Sequence, residues 1–299
     1  MLTQEQIEAR AGAVGGSDQA ILIGASPWMT AAELYYLKRG ELERDPGDPL
    51  LSWLGHQVEP ILAQWYELET GWRCRNPGGT VRHRDVDWMI AHPDRLPVVP
   101  RGSGDRRGLE LKMRVQATGW GPSGSDEIPD DVMLQVQHYM EVTRRPVWDV
   151  VAWLLGPCDV RHYTIPRDRS IGDQLVATSG SFMARVRTGR PPPIDYSHAT
   201  ALGLVQQLNP ETSTRTVRLP DEAQHWHEVL VAARAERDRL DTVADACRAR
   251  IEHMMGDAAL AFLPDGSSYD RKLRSRGGFT VEPSTYWALN HRKAGRIAT

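Results

Sequence analysis

Three consecutive prolines, at positions 191–193, set the firmest limit on how this chain can fold. Proline fixes its own φ angle and has no amide proton, so three in a row continue neither a helix nor an inner strand. Gly189 and Arg190 come directly before them. We therefore predict a linker here, which separates a core of residues 1–193 from a C-terminal module of residues 194–299.

Segments with helical and strand periodicity follow one another before this linker. Apolar residues recur at helical spacing over 51–68, where Thr70-Gly71 supplies a stop, and a second helix is predicted over 129–142. The succession predicts an α/β (α+β) core in which a central mixed sheet is flanked by helices. Four runs have the pattern of strands: 88–91, 108–113, 147–155 and 160–165.

The C-terminal module has a simpler pattern. Pro220-Asp221 is a typical helix start, and apolar residues alternate with charged ones as far as Gly256. Two strand-like runs, 260–263 and 268–273, then flank Pro264-Asp265-Gly266 and predict a β-hairpin. We expect this helical and hairpin module to serve oligomerisation, DNA contact or partner contact.

Composition argues against several classes of protein. The 299 residues contain no run near the ~18 apolar residues of a membrane span, and the first residues lack the pattern of a signal peptide. Three cysteines without a CxxC pair favour neither a disulfide framework nor a structural zinc site. We therefore expect a cytoplasmic protein that does not act at a membrane.

The charge distribution leaves nucleic acid open as a ligand. The net charge of −3 argues against a protein that coats nucleic acid through its total charge. The runs 95–114 and 271–296 are nevertheless locally basic and could bind a polyanion. Either run taken alone is equally consistent with a solvated charged loop.

The strongest candidate site lies on the predicted strand 108–113. Apolar residues alternate there with Glu110 and Lys112, so the carboxylate and the ammonium project from the same face. If Asp94 ends the neighbouring strand, Asp94 and Glu110 can hold a hard divalent cation, with Lys112 beside its water. This arrangement is typical of phosphodiester hydrolysis, in which the metal polarises the phosphoryl oxygen.

Two predicted helices each carry a polar residue in an otherwise apolar stretch. Glu59 lies on the helix 51–68, and Gln135 lies on the apolar stripe of the helix 129–142. Buried polar groups need partners, and a shared metal site would supply them. Two alternatives stay open: an ion-pair face on an exposed sheet for Glu110 and Lys112, and tolerated helix-edge positions for Glu59 and Gln135.

These residues carry a resemblance to known nucleases. Asp94, followed by Glu110-Leu111-Lys112, matches the PD-(D/E)xK signature, and the order of the motifs around it is more specific than the signature itself. Over residues 10–165 the chain resembles the YqaJ-type viral recombinases, the phage alkaline exonucleases that include lambda exonuclease. The flanking motifs are Arg10 with Gly15-Gly16-Ser17-Asp18, then Gly55-His56-Gln57-Val58-Glu59, and finally Gln135-Val136-Gln137-His138-Tyr139-Met140-Glu141-Val142-Thr143.

The resemblance implies a PD-(D/E)xK restriction-endonuclease-like core and a 5′→3′ exonuclease. Such an enzyme digests one strand of linear duplex DNA and leaves a 3′ single strand for annealing. Mg²⁺ would be the working metal, with Mn²⁺ as a substitute. The implied partners are double-stranded DNA ends, a single-strand-annealing protein and further copies of the chain in a ring, in the host cytoplasm if the protein is phage-encoded.

The resemblance also assigns metal ligands by motif position. Asp94 and Glu110 would bind the metal through their carboxylates, and Leu111 would contribute its backbone carbonyl. Glu59 would join the metal environment from its helix.

The remaining motif positions would act on the substrate. Lys112 would act on the attacking water, and Gln135 would position that water or the scissile phosphate. Arg10 and Ser17 fall where relatives bind the terminal 5′-phosphate. Arginine offers paired donors for an anion, and Ser17 follows two glycines whose backbone can approach an anion closely.

Two other functions are compatible with the same residues. A structure-specific or nicking endonuclease could use the same metal site, because the chemistry does not depend on how DNA enters. A non-catalytic DNA-binding or recombination-assembly protein with a relic site is the third possibility. The intact set of Asp94, Glu110 and Lys112 argues against it.

Overall fold

The structure is a computed structural model that describes residues 4–43, 45, 47–100, 105–211 and 215–275, with side chains from residue 8 onward. The chain divides into two compact units, Met1–Pro210 and Glu211–Thr299. Most of the basic run 271–296 lies outside the described residues, as do positions 101–104 of the run 95–114.

A three-stranded mixed sheet forms the centre of the first unit. Strand β5 (Arg107–Arg114) pairs in parallel with β6 (Val147–Leu154), and β6 pairs antiparallel with β7 (Asp159–Pro166). Parallel neighbours need a crossover connection, which here is helix α5 (Asp130–Thr143). The predicted mixed sheet flanked by helices is confirmed.

Both faces of this sheet are covered. Val150 of β6 packs with Val136 and Met140 of α5, whereas the next residue, Val151, packs on the other face with Leu62. Leu62 belongs to α4 (Pro49–Thr70), which ends at Gly71 in the left-handed conformation that favours glycine. The helix predicted over 51–68 and its stop are therefore confirmed.

The predicted boundary at Pro193 differs from the division that the structure shows. Helix α6 (Arg169–Thr188) does end just before the prolines, and residues 190–195 have no regular secondary structure. Helix α7 (Ala201–Leu208) nevertheless packs back on the first unit, because Leu204 is buried and the Thr200 hydroxyl donates to Glu33 at 2.7 Å. The first unit consequently extends to Pro210.

The second unit contains the predicted long helix and hairpin. Helix α8 spans Glu222–Met255, and strands β8 (Leu260–Phe262) and β9 (Ser268–Asp270) pair antiparallel around the predicted turn. Within the described residues, no helix is both long enough and apolar enough to cross a membrane.

Shorter elements complete the first unit. The predicted strand 88–91 is reduced to a two-residue strand, and the helices before residue 40 pack with α6 around a small core of Val14, Tyr35 and Phe182. The remaining elements are α1 (Gln4–Ala11), a 3₁₀ turn (Gly16–Asp18), α2 (Gln19–Leu22), α3 (Ala31–Lys38), and the antiparallel pairs β1 (Arg73–Arg75) with β4 (Leu96–Val98) and β2 (Val81–Arg82) with β3 (Ile90–Ala91).

Candidate active site

Strand β5 places its charged and apolar residues on opposite faces, as the period of two predicts. Leu109 and Leu111 are buried in the cluster that α4 covers. Glu110 and Lys112 point toward α5, where both contact Gln135. The interpretation of Glu110 and Lys112 as an exposed ion-pair face is therefore wrong, since Glu110 is only 2% exposed.

A compact hydrogen-bond network joins the charged residues of β5 to α5. The Lys112 ammonium donates to Oε1 of Glu110 at 2.5 Å and to Oε1 of Gln135 at 2.9 Å. Nε2 of Gln135 in turn donates to the same Glu110 oxygen at 2.7 Å and to the Tyr139 hydroxyl at 3.0 Å. The predicted neighbours Glu110, Lys112 and Gln135 thus form one network, in which the oxygen and the nitrogen of the Gln135 amide both have hydrogen-bond partners.

Asp94 reaches the same place from the edge of the sheet. It does not end a strand, since β3 stops at Ala91 and Asp94 lies in the bend before β4. Its Oδ2 accepts the backbone N–H of Leu111 at 2.8 Å. One residue later, Arg95 exchanges two backbone hydrogen bonds with Leu109, at 3.0 and 3.2 Å. The edge of β5 that carries the Leu109 and Leu111 backbone groups therefore faces Asp94.

The two carboxyl groups have the electrostatics of an incomplete site. Burial and the neighbouring Asp94 raise the pKa of Glu110, and burial likewise raises the pKa of Asp94, although Lys112 and the Leu111 N–H oppose it. Oε2 of Glu110 is buried and has no hydrogen-bond partner. Two adjacent carboxylates, the half-buried Asp94 and the buried Glu110 with its unused oxygen, fit a hard divalent cation, which would stabilise their charged forms.

Glu59 lies near this pair but does not join it. Burial and the charge of Asp94 raise the pKa of Glu59, which places its carboxyl in the electrostatic field of the site. Within the described residues, however, no three His, Cys, Asp or Glu side chains converge closely enough to hold a metal ion. The structure brings Asp94, Glu110 and the Leu111 backbone together, and these residues and Glu59 stay predicted ligands.

The N-terminal segment brings Arg10 and Ser17 toward the network. The Arg10 guanidinium lies against Gly15, its Nε is buried without a partner, and its charge helps burial to lower the pKa of His92 to about 4. Ser17 is exposed on the 3₁₀ turn. Both residues predicted to bind the 5′-phosphate are thus on one short segment, and Arg10 lies near His92, which precedes Asp94 by two residues.

Gly16 seats this segment directly on α5. A Cβ atom at Gly16 would lie 2.7 Å from Cε1 of Tyr139 and 2.9 Å from Cγ of Gln135, which is closer than side chains tolerate. Only glycine allows this approach. The segment that carries Ser17 is therefore in direct contact with the glutamine of the network.

A buried lysine that the sequence did not point to holds the segment in shape. The Lys38 ammonium donates to the backbone carbonyls of Arg10 and Ala13 at 2.8 and 2.7 Å and to Oδ2 of Asp18 at 2.8 Å. The same Asp18 oxygen accepts the Gly15 N–H at 3.0 Å. All three ammonium protons of Lys38 are used within the segment.

A second unpredicted network anchors the segment to three elements. Burial lowers the pKa of His138 to about 4, so the ring is neutral; its Nε2 donates to the Ile90 carbonyl at 2.8 Å. Nδ1 then accepts from Nε2 of Gln19 at 2.7 Å, which also donates to Ser179 at 2.9 Å. The network connects α2, α5, α6 and β3, and only the position of His138 beside the Gln135 motif hinted at it.

The sequence of this part of the chain matches the model of a known family. The match runs over residues 6–146, a span that contains Arg10, Asp94, Glu110, Lys112 and Gln135. The model that matches this span is that of the YqaJ-like viral recombinase domain. The family expected from the order of the motifs is therefore confirmed.

Individual proteins similar to this YqaJ-like chain come from several bacteria. The uncharacterized protein YqaJ of Bacillus subtilis (strain 168) is 26% identical over 262 residues, which are 86% of this chain and 79% of that protein. The alkaline exonuclease LHK-Exo from Laribacter hongkongensis is 21% identical, with a TM-score of 0.48 over 68% of this chain and 100% of that one. A phage related exonuclease from Haemophilus somnus 129PT is 12% identical, with a TM-score of 0.43 over 59% and 96% of the two chains.

Proposed function

We propose that this protein is a Mg²⁺-dependent 5′→3′ exonuclease that digests one strand of linear double-stranded DNA. The observation that carries the proposal is the pair of the half-buried Asp94 and the buried Glu110, with Lys112 and Gln135 in hydrogen-bond contact with Glu110. The viral recombinase family supports a role in recombination, in which the remaining 3′ single strand is the substrate of an annealing protein.

The chain's own residues have separable tasks in phosphodiester hydrolysis. Asp94, Glu110 and the Leu111 carbonyl would hold Mg²⁺, or Mn²⁺ in its place; the bound ion supplies Lewis-acid polarisation of the phosphoryl oxygen. Lys112 uses two of its three protons on Glu110 and Gln135, which leaves one to orient the attacking water or to offset negative charge on the phosphate.

Gln135 would act as a positioning group within this cluster. Its side-chain oxygen is fixed by Lys112, and its nitrogen is fixed by Glu110 and Tyr139. A scissile phosphate entering beside Gln135 therefore meets the remaining Lys112 proton already oriented, so little reorganisation is needed during the reaction.

The contact of Gly16 with Gln135 favours an end-dependent enzyme over an endonuclease. Arg10 and Ser17 would bind the terminal 5′-phosphate, and the segment that carries them packs on the glutamine of the hydrolytic cluster. A terminal phosphate and the next phosphodiester of the same strand are neighbours. We therefore propose that the enzyme releases mononucleotides from 5′ ends.

The decisive experiment digests linear duplex DNA labelled separately at its 5′ and 3′ ends, with Mg²⁺, Mn²⁺ or EDTA, beside a closed circular duplex. We expect metal-dependent release of the 5′ label as mononucleotides and no attack on the circle. Cutting of the circle would establish the endonuclease instead. Binding without cleavage under every metal condition would establish the non-catalytic protein.

A second experiment tests the end-binding role of Arg10. Arg10→Ala should reduce the ratio of kcat/KM for 5′-phosphorylated ends to that for 5′-hydroxyl ends, because the guanidinium no longer recognises the phosphate. An unchanged ratio would remove Arg10 from the site.

A further inference from the structure

Four arginines line an open cavity at the edge of the sheet where β5 and β6 begin and β7 ends. The strand register pairs Arg107 with Val147 and Val147 with Pro166, so the residues just outside these strand ends lie side by side. The cavity has a volume of about 470 Å³. Its lining is Arg106, Arg144, Pro146, Arg167 and Arg169.

The cavity carries more positive charge than its acidic neighbours neutralise. Arg144 pairs with Asp85, and Arg167 pairs with Glu141. Arg106 and Arg169 form no ion pair with any residue that the structure describes. Nε of Arg167 is buried and has no hydrogen-bond partner. Two guanidinium groups are thus uncompensated, and a third has a spare donor.

Further arginines behind the lining increase this surplus. Arg145 is half-buried, and burial together with the nearby charges of Arg106 and Arg75 lowers its pKa. Like charges that crowd at one place without a buried partner favour an anionic ligand. The lining includes no aromatic side chain, which argues for recognition of a backbone anion rather than for stacking of a base.

The cavity lies a definite span away from the hydrolytic cluster. Arg106 precedes Glu110 by four residues of extended chain, which is about 13 Å at roughly 3.3 Å per residue. Arg144 follows Gln135 by nine residues of α5, which is again about 13 Å at roughly 1.5 Å per residue. Phosphates of one strand follow the duplex axis at about 3.4 Å intervals, so this span corresponds to about four base pairs.

We propose that the cavity binds a backbone phosphate of duplex DNA, about four base pairs from the phosphodiester that is cut. Guanidinium groups suit this ligand because they offer paired, permanently charged donors to phosphate oxygens. The proposal rests on the proposed function for the nature of the substrate. The ligand is a phosphodiester of the DNA backbone rather than free phosphate, because an open cavity at a sheet edge admits a continuous strand.

The test compares two double variants that remove the same charge at different places: in the cavity, where α6 begins, and near the end of α6. R106Q/R169Q changes the two arginines of the cavity that have no acidic partner. R185Q/R190Q is the control, since both residues are exposed and lie at the far end of the helix. R106K/R169K keeps the charge and tests whether positive charge alone restores binding.

Binding is measured without metal, by fluorescence anisotropy of a labelled 20-base-pair duplex in EDTA over a series of KCl concentrations. We expect R106Q/R169Q to raise the Kd about tenfold and to reduce the slope of log Kd against log salt by about one to two. R185Q/R190Q should leave both unchanged, and R106K/R169K should recover most of the affinity. The wild-type Kd and salt slope in R106Q/R169Q, or equal losses in the cavity variant and its control, would overturn the proposal.

Two further arms locate the contact and identify the ligand. Neutral methylphosphonates at the third to fifth phosphates from the 5′ end should weaken duplex binding by the wild type by the same factor as the R106Q/R169Q substitutions do. They should not weaken duplex binding by R106Q/R169Q any further. Additive losses would place the contact elsewhere on the DNA, against the proposal. Inorganic phosphate is added as a competitor to the bound duplex. If the same phosphate concentration displaces the duplex from wild type and from R106Q/R169Q, the cavity binds a DNA strand rather than free phosphate. If phosphate binds in the cavity and the affinity for duplex stays unchanged, the proposal is contradicted.

This binding experiment is independent of cleavage. A protein that binds DNA through the cavity but digests none would contradict the proposed exonuclease and leave the cavity assignment standing. Digestion of linear DNA by a protein whose cavity makes no contribution to binding would support the proposed exonuclease and contradict the cavity assignment.

Discussion

Two lysine–carboxylate pairs in the first unit have the same chemical groups, but the pKa values of their carboxyl groups shift in opposite directions. The Lys38 ammonium lies 2.8 Å from Oδ2 of Asp18, and the Lys112 ammonium lies 2.5 Å from Oε1 of Glu110. Burial raises the pKa of Asp18, but attraction to Lys38 and hydrogen bonds from Lys38 and Gly15 outweigh it, so the pKa is below its usual value. Burial and Asp94 raise the pKa of Glu110 despite Lys112.

The difference lies in what surrounds each carboxylate. Asp18 has no second acid beside it, and its lysine is fully satisfied by two further backbone carbonyls. Glu110 shares its site with Asp94 and keeps a buried oxygen without a partner. A completed ion pair holds backbone in place, whereas a crowded and incomplete one retains the capacity to bind a cation.

The largest expected effect is the loss of cleavage in Lys112→Ala. The variant lacks the ammonium that is proposed to orient the water or offset charge, so the rate should fall about 10²- to 10⁴-fold. Single-turnover digestion of linear duplex measures it, with circular dichroism and duplex affinity in EDTA as controls for fold and binding. Full activity would disprove the assignment of Lys112.

Lys38→Met should act on stability in a way that Lys112→Met does not. Removal of Lys38 leaves Asp18 buried and uncompensated, which typically costs about 3–5 kcal/mol. Urea denaturation measures the loss, and D18N/K38M should regain part of it because no buried charge is left. If Lys112→Met were the more destabilised variant, the contrast between the pairs would be reversed.

Gly16→Ala tests whether the segment proposed to bind DNA ends, which carries Arg10 and Ser17, and the network of Glu110, Lys112 and Gln135 work as one unit. The added methyl group would displace Gln135 or Tyr139 by several tenths of an ångström, and we expect kcat to fall about tenfold, since positioning errors of this scale are costly. Gly12→Ala is the matched control, because nothing lies within 4 Å of a Cβ there. Equal activities of the two variants would show that the contact is passive.

The smallest expected effects are opposite shifts of thermal stability with pH in metal-free protein. A carboxyl group whose pKa is lowered in the folded state stabilises the fold above its unfolded-state pKa, and this stabilisation is lost as the pH falls. Asp18→Asn should therefore lower the Tm at pH 7 and change it little at pH 3. A carboxyl group whose pKa is raised in the folded state stabilises the fold at low pH, and this stabilisation is lost as the pH rises. Glu110→Gln carries no charge at this position and should therefore raise the Tm at pH 7 to 8.

Differential scanning calorimetry in EDTA between pH 3 and 8 checks both signs. Added Mg²⁺ should raise the Tm of the wild type more than that of Glu110→Gln, because the variant lacks one of the proposed ligands. The same sign of Tm change in both variants at pH 7 would mean that the two carboxylates have equivalent surroundings.

Elements with a strong apolar period could be predicted from the sequence, and so could the face that β5 presents to α5. The period of two separates Glu110 and Lys112 from Leu109 and Leu111, whatever the rest of the fold. The order of motifs supplied Asp94, Gln135 and Arg10. Strands of two or three residues, such as β3, are too short to show a period.

Other features depend on contacts between distant positions, and one sequence carries no signal for these. Gln19 meets His138 across 119 residues and Ser179 across 160. Lys38 looked like an ordinary helix-end lysine, and its burial follows from how α3 packs beneath Arg10. The arginine cavity arises only when three strand ends come into register. The boundary after Pro210 likewise reflects the packing of α7.

The contact between the N-terminal segment and α5 has a consequence for the order in which the protein is made. Residues 10–19 are synthesised first, but the α5 residues that they pack against, Tyr139 for Gly16 and His138 for Gln19, come much later. His138 follows Gln19 by 119 residues. At roughly 5–20 residues per second, that delay is about 6–24 s. During this interval the growing chain lacks the packed segment that is proposed to bind DNA ends. Under the proposed function, a nascent chain would therefore be inert toward the DNA of the cell that makes it.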